Sequence, residues 1–119
     1  MYVCQDAVEL LARSLRRGLA VGQESHIAAV VAAAWQESTE LPLRRVAAKH
    51  IGYVLDPACC LCTCYRTGRP GGFHAASESA TSGARTAMLA CVGDAHAVAA
   101  HIADERDSLV REYMERWDL

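Results

Sequence analysis

Apolar residues recur every three or four positions along most of the chain, the spacing of helices that each turn one face inward. In the first stretch Cys4, Ala7, Val8, Leu11, Leu15 and Leu19 follow this rhythm, while Arg13, Arg16 and Arg17 fall elsewhere around the turn. Asp6 and Glu9 near the start and the arginines near the end suit the helix dipole, and Gly18 or Gly22 supplies a stop. The pattern predicts a helix over about 3–18, with Cys4 and Leu19 on its buried stripe. His26 to Ser38 is apolar almost all round, with Ile27, Val30, Val31, Trp35 and five alanines, and Ser25 is a candidate N-cap. A helix over about 25–39 with no polar face belongs at the centre of a bundle or against a second copy of the chain.

Pro42 fits the first turn of a third helix, about 42–54, that turns Leu43, Val46, Ala47, Ile51 and Val54 to one side. Asp56-Pro57 ends it, because a residue preceding proline is pushed out of the helical region. Residues 56–76 have no periodicity and read as one long irregular loop. Helical spacing returns through Ala84, Ala87, Met88 and Cys91, then Ala95, Val98, Ala99, Ile102, Leu109, Val110, Tyr113 and Trp117. Unbroken, that stretch would run roughly 50 Å, longer than a domain of this size needs. Gly93-Asp94 offers a stop followed by an N-cap, which predicts helices over about 78–92 and 94–117. The expected fold is all-α, a single domain over 1–119 built as a bundle of four or five helices with one long irregular Cys-rich loop.

Composition narrows the class. The 119 residues are 52% hydrophobic and 22% charged with a net charge of -2, too apolar and too weakly charged for a disordered chain. The same balance creates no strong field toward a polyanion. No run of about 18 apolar residues suggests a membrane span, so no membrane is expected as a partner. Met1 to Asp6 lacks the basic-then-apolar order of a secretory signal, and a reducing, cytoplasmic setting is the expectation. The net charge hides a division: residues 76–119 are acidic, and Arg44, Arg45, Lys49 and His50 make the third helix locally basic. Nucleic acid is therefore a secondary candidate partner, and a homo-oligomer through the Ala-rich second helix is the favoured one.

The chemistry lies in the cysteines. Four of the six fall in Cys59-Cys60-Leu61-Cys62-Thr63-Cys64, too close together to staple a fold by bridging one another. In a reducing compartment such a cluster points to soft-metal binding, with zinc or copper(I) first. Cys59-x-x-Cys62 forms one zinc knuckle, Cys62-Thr63-Cys64 places two thiolates at the short range copper(I) accepts, and His74 is the histidine best placed to join. The expected ligand set is Cys59, Cys60, Cys62, Cys64 and His74, whereas Cys4 and Cys91 are assigned to the core. His101 and Glu105 share a helical face and read as a surface ion pair.

Cys59-x-Leu61-Cys62-Thr63-Cys64-Tyr65 also resembles the metal-claw motif of the nitrile hydratase α subunit. That resemblance implies thiolates from Cys59, Cys62 and Cys64, amide nitrogens from Thr63 and Cys64, and cobalt or iron as the metal. It further implies oxygenation of Cys62 and Cys64 and metal-assisted attack on a nitrile. The leading expectation is instead a small intracellular protein that senses, stores or delivers a soft metal. Its rival is a helical interaction or regulatory protein without metal.

Overall fold

A computed structural model describes residues 4–56 and 83–119, and every regular element among them is a helix. In chain order these are α1 (Gln5–Arg16), α2 (Glu24–Glu37), α3 (Leu41–Leu55), α4 (Gly83–Val92), α5 (Ala95–Asp104) and α6 (Ser108–Glu115). The all-α expectation holds, but six helices stand among the described residues where four or five were expected for the whole chain. The extra one comes from the stretch 94–117, which Glu105-Arg106-Asp107 divides into α5 and α6. Apolar spacing runs on through this break and conceals it. What makes it is Asp107, whose carboxylate accepts from the Val110 N–H and starts a new helix.

Helix α3 is central, packed against α1, α2 and α6, while α1 also touches α2 and α5 touches α6. One buried cluster joins Val8, Ala12 and Leu15 of α1 to Val31 and Trp35 of α2 and Ile51, Val54 and Leu55 of α3. Ala84, Ala87, Met88 and Val92 complete it from α4, with Val98, Val110, Met114 and Trp117 behind. Each fully buried aliphatic side chain stabilises by roughly 1.5–3 kcal/mol relative to exposure. Helix α2 buries Ala28, Val31, Ala32, Ala34 and Trp35 within its own chain, so its apolar character already has an intramolecular use. Its alanines let neighbouring backbones approach closely.

The first helix departs from expectation at both ends. Cys4 is the exposed N-cap and Leu19 is 70% exposed. Leu19 N–H donates to the Ser14 carbonyl (2.9 Å) and Gly18 N–H to that of Leu15 (3.1 Å), a Schellman closure that turns the chain before Leu19 can join the stripe. Helix α2 begins at Glu24 with Gln23 as N-cap, so Ser25 lies inside the helix rather than capping it. Pro42 occupies the first turn of α3 as its fixed φ favours, and Asp56 is the C-cap.

The expected break at Gly93-Asp94 is present. Gly93 has φ +92, a conformation that costs an L side chain roughly 1–2 kcal/mol, and a Cβ there would sit 2.9 Å from Ala97 Cβ. Asp94 then accepts from Ala97 N–H at 2.8 Å and α5 starts. Among the described residues no single helix is long and apolar enough to cross a membrane. Helices α4 and α5 reach that length only together and are bent by 51°.

Candidate functional site

Cys59, Cys60, Cys62, Cys64 and His74 lie outside the described residues, as does the irregular segment expected over 56–76 apart from Asp56. What the structure does place is the frame from which that segment departs. Arg85 of α4 donates from Nε to the Leu55 carbonyl at the end of α3, and from its terminal nitrogen to the Asp118 carbonyl, both at 3.1 Å. A helix C-terminus leaves carbonyls without intrahelical partners, and a guanidinium there satisfies one while meeting the negative end of the dipole. The end of α3, the start of α4 and the chain's C-terminal turn are thereby tied at one place. Residues 57–82 connect two anchored roots.

The remaining cysteines are separated from each other by environment. Cys4 is exposed at the head of α1. Cys91 is half-buried against the core, and burial pushes its thiol pKa up, so it is held as a neutral thiol. A neutral, partly enclosed thiol is a poor soft-metal ligand, because the thiolate is the binding form. Among the described residues no three His, Cys, Asp or Glu side chains converge on a point that would hold a metal ion.

Ion pairing has redistributed the basic face of α3. Arg44 pairs with Glu105 and also donates from Nε to the Trp35 carbonyl at 3.1 Å. Arg45 grips Asp107 with two bonds, Nε to Oδ2 at 3.2 Å and a terminal nitrogen to Oδ1 at 2.8 Å. The Glu105 carboxylate also accepts from the Asp107 N–H at 3.0 Å, and Arg111 donates to the Glu105 carbonyl. Burial pushes the Glu105 carboxyl up, but the Asp107 amide and Arg44 outweigh it and hold the group below its usual range. Asp107 is held at about 2, chiefly by Arg45 and then by the Val110 amide. The guanidiniums offered to phosphate by the bare sequence are thus committed to the α5–α6 junction.

His101 does not pair with Glu105. Its exposed ring meets Trp35 edge-on at 5.2 Å, and Trp35 meets Trp117 at 4.9 Å. Trp117 in turn packs over Gly52, where a Cβ would lie 3.1 Å from Cδ1, and donates to the Ala48 carbonyl at 2.9 Å. Around Trp35 and His101 opens a groove of about 370 Å³, lined also by Gln36, Glu37, Arg44, Asp104, Glu105 and Met114.

A second polar cluster lies between α1 and α3. His50 is 8% exposed, and its Nδ1 is buried without a hydrogen-bond partner. Its ring meets Tyr53 edge-on at 5.5 Å, and the Arg16 guanidinium lies over the Tyr53 ring at 5.2 Å with its Nε buried and unpaired. Neither the arginine–carboxylate junction nor this cluster is evident in the sequence; a dibasic Arg44-Arg45 and the acids of Glu105-Arg106-Asp107 were the available signals. Comparison with models of protein families, with curated proteins and with solved structures finds no match.

Proposed function

We propose that this protein binds a soft metal ion, zinc or copper(I), through Cys59, Cys60, Cys62 and Cys64 with His74 as a further ligand, and senses, stores or delivers it. The observation that carries this reading is four thiols within six residues. Thiolates are matched to soft cations, and several on one short segment need little further chain to surround an ion. Two structural facts support it. The only other cysteines are set apart, Cys4 as the N-cap of α1 and Cys91 on α4, and Arg85 ties the residues on either side of the segment that bears the four. The resident metal would supply no more than a charged, thiolate-bound centre, while the protein's residues select it by softness and coordination number.

Elemental analysis of protein purified without added metal, with thiols titrated before and after denaturation, tests the proposal. Zinc or copper at a fixed ratio, with thiols that react only after denaturation, is the expected result. Four freely titrating thiols and no metal would overturn it. Cobalt or iron with oxygenated Cys62 and Cys64 would instead favour the nitrile hydratase-like claw.

A second reading, an interaction protein without metal, is favoured by one observation. Leu10, Leu19 and Val21 are 63%, 70% and 77% exposed on α1 and the turn after it. Concentration-dependent association lost in Leu19→Glu, with no metal bound, would select this reading.

A further inference from the structure

The α1–α3 contact contains two buried nitrogens without partners, Arg16 Nε and His50 Nδ1, on side chains that both touch Tyr53. Buried polar groups are nearly always hydrogen-bonded, so two orphans in one contact mark a place where stability has been given up. The charges acting on the imidazole are unbalanced. Helix α1 presents Arg13 and Arg16 against the lone carboxylate Glu9, and α3 itself adds Lys49 beside His50. Glu9 is already engaged by Arg13 at 2.7 Å, which weakens its power to compensate another cation. Tyr53 offers an aromatic face, but that face holds the Arg16 guanidinium.

From this arrangement we infer that the α1–α3 interface is an acid-released latch: a proton taken up by His50 from solvent is repelled by Arg13, Arg16 and Lys49, and α1 separates from α3. The neutral imidazole fits the interface as a flat, largely apolar body. The imidazolium would be a charge on a nearly enclosed ring, faced by half-buried Arg16 and by exposed Arg13 and Lys49, with one shared carboxylate. Burial is the foremost cause that lowers the pKa of His50, followed by Arg16, Lys49 and Arg13, with Glu9 alone opposing.

The sign follows from linkage. The folded pKa lies below the unfolded value of about 6.5, so the unfolded or detached state binds the proton more readily between the two. Stability is complete above about 6.5, is lost as pH falls below that value, and stops falling once the folded state also takes up the proton. Release would uncover Val8, Ala12 and Leu15, which are fully buried when α1 is seated. The device is built from residues of α1 and α3 alone.

Hydrogen exchange of the α1 amides at pH 7.5 and pH 5.0, corrected for intrinsic rates, tests the latch. Protection of α1 should fall by up to about tenfold per pH unit within the window. Helix α6 should lose less, because its Asp107 cap stays ionised at pH 5.0. His50→Gln should flatten the α1 response, and Arg16→Met should shrink it. An equal α1 loss in His50→Gln, or no loss in the unsubstituted protein, would overturn the inference. Should His50→Gln fold poorly, NMR titration of the native imidazole decides: a His50 midpoint at or above 6.5 also overturns it.

Discussion

Trp117 joins the aromatic contacts of the core to the backbone of α3, and its indole reaches that backbone because residue 52 has no side chain. Gly52→Val should therefore displace the ring and break its bond to the Ala48 carbonyl, a loss of about 1–3 kcal/mol read by urea denaturation. Trp117→Ala should cost roughly 3–5 kcal/mol in the same measurement, since it empties a large buried volume. Neither contact is visible in the sequence, where Gly52 is merely a weak helix former and Trp117 the last apolar member of a stripe. Gly93 is different. Its place after a periodic run and before Asp94 makes the turn readable, and the positive φ agrees with it. Gly93→Ala should destabilise by about 1–2 kcal/mol, more if Ala97 cannot move away.

At the level of elements, α1 to α3 are legible because each joins one continuous apolar rhythm to a terminator the chain provides, such as Gly18 or Asp56-Pro57. The α5–α6 break is not legible, because Val98, Ile102, Val110, Met114 and Trp117 maintain helical spacing across it. It is specified by long-range partners, Arg44 and Arg45, that lie 61 and 62 residues away in sequence and that local pattern cannot pair with Glu105 and Asp107. Asp107→Ala removes both a cap and a guanidinium partner and should lower the melting midpoint by several degrees. The acid behaviour of that junction has a definite sign. The Asp107 pKa is depressed in the folded protein, so its stabilisation is present above about pH 4 and is lost as pH falls toward about 2. In Asp107→Asn this part of the acid transition should vanish, which a pH series of thermal melts checks. Glu105→Ala strands Arg44 in a partly buried setting and should cost roughly 1–3 kcal/mol.

At the largest scale, α1, α2 and α6 pack against α3 among the described residues, and one arginine ties the end of α3 to the start of α4. Periodicity foreshadows most of the core cluster; among the residues it puts on a stripe, Cys4 and Leu19 are exposed at the extreme ends of α1 where the helix has closed, and Ala95 and Ala99 are exposed on α5. The candidate ligands lie outside the described residues and rest on the sequence alone, where thiol density needs no folded context to be noticed. Their surroundings are a tertiary matter that spacing alone does not specify. Arg85→Met should release the Leu55 and Asp118 carbonyls, cost about 1–2 kcal/mol, and loosen metal retention along with the roots.

Metal content per chain, measured side by side in the unsubstituted protein, Cys62→Ser and Cys91→Ser, tests the central claim most directly. Soft-metal binding at the thiol segment requires that the unsubstituted protein and Cys91→Ser carry the same fixed ratio of zinc or copper and that Cys62→Ser carry little. Equal loss in the two variants, or no metal in any of the three, would contradict it.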